Sequence, residues 1–223
     1  MEVTIRNPHF LASLNEISEE MFAKPDYGSK KYWTYHDEDG IMAGTKYCEV
    51  EYLEECRSRD KLVGPPDKYF GSPIAKMCKE DPDIWNDYKQ KVKYDFAKDL
   101  GAHTSALLTY YAPGGYVGWH TNWDANAYQV LFTWSDGNGF FRYLDNETGE
   151  IVTIPDVKGW QCRHYYFGSD KEPDKLCWHS AYSGGERITL AYKFVNNGVA
   201  NGDNKDTQAK LMRDMLIEEI ESE

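Results

Sequence analysis

Between Ser105 and Phe194 the apolar residues fall into short runs parted by turn-forming residues: SALLTYY, YVGWHTNW, YQVLFTWS, GFFRYLD, IVTIP, QCRHYYFG, LCWHSAYS and RITLAYKF. Their length and their β-branched and aromatic content predict eight strands. Eight short strands suit a two-sheet jelly roll, the cupin-like double-stranded β-helix, with an immunoglobulin-type sandwich as the alternative.

Upstream the spacing turns helical. In DPDIWNDYKQKVKYDFAKDLG the residues Ile84, Tyr88, Val92, Phe96 and Leu100 recur every four positions, Asp81 stands at the cap, Pro82 in the first turn and Gly101 at the stop. This predicts one amphipathic helix covering a sheet face. A shorter helix is expected near Leu14–Ala23 after Ser13, followed by loop-rich KPDYGSKKYW and RDKLVGPPDKYFGSP.

Downstream, NNGVANGDNKD reads as a flexible linker. In the last segment Leu211, Met212, Met215, Leu216 and Ile220 form an apolar stripe, while glutamates crowd an end where the helix dipole disfavours them. The expected organisation is a mixed support region at 1–104, a β core at 105–195, a linker at 196–205 and an amphipathic helix at 206–223. That helix either docks on its own barrel or offers its stripe to a second subunit or an assembly partner.

Composition narrows the picture. At 223 residues and 41% hydrophobic content the chain suits one main domain. Its 25 basic and 37 acidic residues leave a net charge of −12, the wrong sign for non-specific binding to nucleic acid. The five cysteines are scattered and lack a Cys-x-x-Cys pair, which opposes a disulfide framework and a zinc knuckle and suggests a reducing, cytoplasmic setting. MEVTIRNPHFLASLNE lacks the apolar core of a secretion signal, and no run of eighteen apolar residues predicts a membrane span.

Residues two apart on a strand share a face, so in YVGWHTNWD the side chains of His120, Asn122 and Asp124 point one way if the strand is regular. His179 arrives from a late strand. Two imidazoles and a carboxylate on one face suit iron(II) with open coordination positions. Arg187 opens RITLAYKF and shares a face with Thr189, Ala191 and Lys193; a planar guanidinium there can grip a carboxylate with two hydrogen bonds, or form an ordinary surface ion pair. Trp119, Trp123, Trp134 and Arg142 lie near these strands in sequence and are candidates for the pocket mouth or for core packing.

TYYAPGGYVGWHTN resembles the first metal motif of the iron(II) and 2-oxoglutarate-dependent oxygenases, especially the prolyl-hydroxylase-like and alkylation-repair-demethylase-like branches. Tyr111, Pro113, Gly114 and His120 match it, and HSAYSGGERITLAYKF resembles the closing motif through His179 and Arg187. The likeness covers residues 105–194. It implies iron(II) held by His120, His179 and an oxygen of Asn122 or Asp124, and 2-oxoglutarate held by Arg187 with Thr189, Tyr111 or Tyr128. The chain is also similar to small proteins encoded by tailed viruses of marine cyanobacteria, and a viral origin would add a virion-associated location as the alternative to the cytoplasm.

Two departures bear on function. Asn122 stands where the family has its carboxylate ligand, and a neutral amide should hold a hard divalent ion less well. Thr109 and Lys193 replace the asparagine and arginine of the demethylase branch, so a protein or small-molecule substrate is expected before a nucleobase. Three readings stay open: a hydroxylase, an oxygenase fold that lost its catalytic ligand and now serves binding or assembly, and a cupin-like binder without 2-oxoglutarate, which leaves Arg187 no task.

Overall fold

The computed structural model describes residues 1–36, 39–59, 66–122, 126–168, 172–195 and 203–223, with the main chain alone at 203–207. The eight strands expected from the alternation are present: β4 (Thr104–Tyr111), β5 (Gly115–His120), β6 (Ala127–Ser135), β7 (Gly139–Leu144), β8 (Ile151–Pro155), β9 (Gly159–Phe167), β10 (His179–Ser183) and β11 (Arg187–Phe194). Three more were not expected: β1 (Glu2–Val3), β2 (Thr34–Tyr35) and β3 (Tyr69–Pro73), the last inside a stretch read as loop.

All pairings are antiparallel. One sheet runs β1-β9-β6-β11-β4 and the other β5-β10-β7-β8, while β3 pairs with β4 on one side and β5 on the other and so links the two. The result is a strongly curled, jelly-roll-like β fold with flanking helices.

Alternation sorts each strand of the larger sheet between two environments. On β11, Ile188, Leu190, Tyr192 and Phe194 enter the main apolar core, while Arg187, Thr189, Ala191 and Lys193 line a cavity between the sheets. The helices seal the outer face. α1 (Pro8–Ala23) contributes Leu14, Ile17 and Met21, α4 (Pro82–Gln90) contributes Trp85 and Tyr88, and α6 (Asp203–Glu221) contributes Leu216 and Ile220. A second cluster joins Tyr52, Leu53 and Cys56 of α2 (Val50–Arg57) to Tyr116 and Trp119 of β5. α3 (Ile74–Glu80) follows β3 directly.

Several boundaries differ from expectation for local reasons. α1 begins at Pro8, ahead of Leu14, because Asn7 Oδ1 accepts hydrogen bonds from the His9 and Phe10 amides and proline fits the first turn. The helix expected after Asp81 is α4, a π-helical turn at Lys91–Asp95, and α5 (Phe96–Asp99), ended by Gly101 at φ 65°. A strict four-residue repeat outruns 3.6 residues per turn, and the π turn absorbs the drift. Asp81 occupies the cap position but spends its carboxylate on Lys31 and Tyr32.

The C-terminal stripe is also displaced. Ala209, Arg213, Leu216 and Ile220 are buried, Met212 is partly so, and Leu211 and Met215 are exposed at 57% and 60%. α6 docks on its own chain, where the Ile220 carbonyl accepts from the Arg6 and Asn7 amides. The expected linker falls on 196–202, outside the described residues, and 203–205 already belong to α6. Among the described residues no helix is long and apolar enough to cross a membrane.

Candidate functional site

The last residue of β5 and the first of β10 are register partners, which sets His120 opposite His179. The ring centroids are 4.1 Å apart and both side chains are buried. A slip in the ladder makes this arrangement: three steps along β5 from Val117 to His120 match two along β10 from Ala181 to His179. The extra residue of this bulge lets Val117 and His120, which a regular strand would send to opposite faces, line the same cavity, while Trp119 turns outward into the second core cluster. Gly118 sits close to the neighbouring chain there: its amide donates to the Lys68 carbonyl at 2.8 Å, and a Cβ would lie 3.0 Å from Lys68 Cβ, a tight contact.

Both imidazoles are oriented alike. His120 Nδ1 lies 2.9 Å from the Gly118 carbonyl and His179 Nδ1 2.9 Å from the Cys177 carbonyl. A carbonyl can only accept, so each Nδ1 carries the proton and each Nε2 keeps its lone pair, the tautomer a metal-binding imidazole requires. Burial pushes the His120 pKa down to about 4, with the Gly118 and His179 backbone carbonyls acting the other way. Burial and then the neighbouring His120 push His179 well below the usual histidine range. Phe167 and Phe141 pack against His179 at centroid distances of 4.7 and 5.9 Å and form a dry wall.

The cavity measures about 320 Å³ and holds Tyr111, His120, Asn122, Gln129, His179, Arg187 and Thr189 in its lining. Asn122 reaches it although β5 ends two residues earlier, so strand alternation is not what aims it. Asp124 and Trp123 lie outside the described residues. Among the described residues no group of three or more His, Cys, Asp or Glu side chains could hold a metal, and Asn122 is the amide side chain that lines the cavity with the two imidazoles.

Arg187 departs from the simple picture of a guanidinium awaiting a ligand. It is buried, its Nε donates to Asp156 Oδ2 at 2.9 Å and its Nη1 to Thr189 Oγ1 at 3.0 Å. The ion pair exists, but it is buried and not on the surface. Asp156, also buried and 3.5 Å from Arg163 Nη1, holds the guanidinium by one edge, and Arg187 Nη2 has no hydrogen-bond partner among the described residues. Gly139 makes room for it: a Cβ there would lie 2.6 Å from Asp156 Oδ2.

Other expectations fail on orientation. Tyr128 points to the opposite face of β6, packed at a tilt against Tyr166 at 4.8 Å and under Arg213 at 4.7 Å, and lines no part of this cavity. Trp119 is fully buried behind β5, Trp134 packs on Phe22 at 4.6 Å, and Arg142 binds Glu49 and the Cys48 carbonyl, so none of the three forms a pocket mouth.

No family model matches the chain, and no curated protein matches it. Solved structures do show similarity. A dioxygenase for auxin oxidation in rice is 17% identical over 83% of this chain and 69% of its own, with a TM-score of 0.36. YcfD, a ribosomal oxygenase from Escherichia coli, is 13% identical over 74% of this chain and 50% of its own, with a TM-score of 0.34. OsALKBH1 is 14% identical over 48% of this chain, at a TM-score of 0.31, and the chain spans 64% of its length.

Two buried polar atoms in the cavity lack a hydrogen-bond partner among the described residues: Tyr111 Oη and Gln129 Nε2. Orphaned groups of this kind cost stability. Gln129 was missed at the sequence level, though it alternates with Leu131 toward the cavity and is the one polar residue in YQVLF. Asp156 had no local signal at all, because its role depends on arginines from β9 and β11.

Proposed function

We propose that this chain is an iron(II)- and 2-oxoglutarate-dependent oxygenase that hydroxylates a protein or small-molecule substrate. The observation that carries this reading is the His120–His179 pair, with each Nδ1 held by a backbone carbonyl and neither Nε2 given a partner among the described residues, in one cavity of about 320 Å³ with Arg187 and two orphaned polar atoms. The donor set fits the metal: two neutral imidazoles and an amide oxygen suit a divalent ion, with weaker hold than a carboxylate would give. The cavity also fits a small dicarboxylate, with Arg187 Nη2, Tyr111 Oη and Gln129 Nε2 as donors.

When bound, the metal and cosubstrate would supply the oxidising power that turns a substrate C–H into C–OH. The chain's own residues do the positioning. The Gly118 and Cys177 carbonyls fix the tautomers, Asp156 and Thr189 stop the guanidinium from swinging, and Phe141 and Phe167 keep bulk water from His179.

A second reading, a catalytically impaired oxygenase fold used for binding or in a viral assembly, is favoured by one observation: Asn122 brings no negative charge, and no third His, Cys, Asp or Glu joins the pair among the described residues. Anaerobic titration of the apo protein with iron(II) and 2-oxoglutarate, beside Asn122→Asp, separates the two. A visible charge-transfer band in both proteins supports the oxygenase. A band only in Asn122→Asp supports the impaired fold, and none in either sinks the oxygenase.

A further inference from the structure

β3 covers only the end of β4. Its ladder with β4 stops at Ser72↔Tyr110 and Pro73↔Thr109, because the chain turns at Pro73 into α3. On that side residues 105–108 of β4 have no strand partner among the described residues, although β11 pairs with their other edge. An uncovered strand edge presents unpaired N–H and C=O groups, which folded proteins usually hide. Here the edge forms the floor of a groove of about 500 Å³.

Two features set this groove apart from an ordinary surface dent. It adjoins the histidine cavity, sharing Pro66, Tyr69, Ala106 and Leu107 with it. Ala106 is the extra residue of a bulge against β11, since Ala191 pairs with Leu107 and Tyr192 with Ser105, and the bulge is why two successive residues reach both spaces. The charge is also inverted. The chain carries −12 overall, yet Lys89 and Lys93 line the groove, Arg187 and Lys193 line the cavity, and neither lining includes an aspartate or glutamate among the described residues.

We infer that the groove binds an extended, acidic peptide segment, which pairs as an added strand with residues 105–108 of β4 while Lys89 and Lys93 meet its carboxylates. Main-chain hydrogen bonds supply affinity and the alternating side chains supply selectivity. Four residues of strand span roughly 13 Å, enough for two or three ladder hydrogen bonds. One side chain of the added strand then points past Ala106 and Leu107 into the cavity. This last step rests on the oxygenase reading and narrows its substrate to a protein; the strand pairing does not depend on it.

The test is fluorescence anisotropy with a pool of dye-labelled nine-residue peptides of alternating acidic and apolar residues. The expected result is saturable binding, weakened at least tenfold by the Lys89→Glu/Lys93→Glu double variant and at least tenfold by N-methylation of alternate peptide amides. Amides of residues 105–108 should gain protection from hydrogen exchange when peptide is added. His179→Ala should bind the peptides as well as the unaltered protein does, which keeps a failed metal site distinct from a failed groove. Absence of binding by every peptide, equal binding of the N-methylated forms, or preference for a nine-nucleotide oligothymidylate would overturn the proposal.

Discussion

His179 faces His120 across the β5–β10 ladder with ring centroids 4.1 Å apart, and each ring is pinned through Nδ1 to a backbone carbonyl two residues before it. Two strand ends thus present paired Nε2 lone pairs without any help from side chains.

Metal binding should therefore depend on both rings. In thermal unfolding under anaerobic conditions, iron(II) at ~100 times its Kd should stabilise the protein by about 2.7 kcal/mol. His179→Ala and His120→Ala should each lose at least ~100-fold in affinity, while Tyr128→Phe, on the far face of β6, should match the unaltered protein. Equal midpoints with and without iron(II) for the unaltered protein would remove the metal from the account.

Asp156 sits between Arg187 at 2.9 Å and Arg163 at 3.5 Å, with its side chain fully buried. Asp156→Ala strands two buried guanidinium groups and should cost about 3–5 kcal/mol in urea unfolding. Asp156→Asn, which keeps an acceptor oxygen, should cost less. A loss below about 1 kcal/mol for the alanine variant would mean that water reaches the arginines.

Gln129 should show opposite signs in two assays. Its Nε2 is buried without a partner, so Gln129→Leu should raise stability in the absence of ligand by roughly 1 kcal/mol. The same change should weaken 2-oxoglutarate binding, measured by calorimetry, about tenfold. A variant that gains stability and keeps full affinity would show that Gln129 does not touch the cosubstrate.

Acid should loosen α6. Arg213 Nη1 donates to His164 Nδ1 at 2.8 Å, which requires that nitrogen unprotonated. Burial, the Met1 ammonium and Arg213 lower the His164 pKa to about 4, while Asp214 and Glu221 act the other way. An unfolded histidine takes up its proton near pH ~6.5. The stability contributed by neutral His164 is therefore full above that value and is lost as pH falls from there toward 4. Urea unfolding at pH 7.5 and 4.5 should show a smaller acid loss for His164→Gln than for the unaltered chain; identical losses would rule out this linkage.

Local information determined a large part of this molecule. Strand alternation and turn residues are properties of neighbouring positions, so the eight strands from Thr104 to Phe194 and the cavity-facing set Arg187, Thr189, Ala191 and Lys193 were legible in the residues themselves. His120, His179 and Arg187 could be named as candidates for the same reason. The tertiary structure decided what those strands could not: the bulge that brings Val117 and His120 to one face, the route by which Asn122 reaches the cavity past the end of β5, and the rejection of Tyr128 to the outer face. It also decided that Asp156 holds Arg187, and that β3, drawn from a Gly- and Pro-rich stretch, joins the two sheets. Each of these depends on partners distant along the chain, where pairing and burial outweigh local preference.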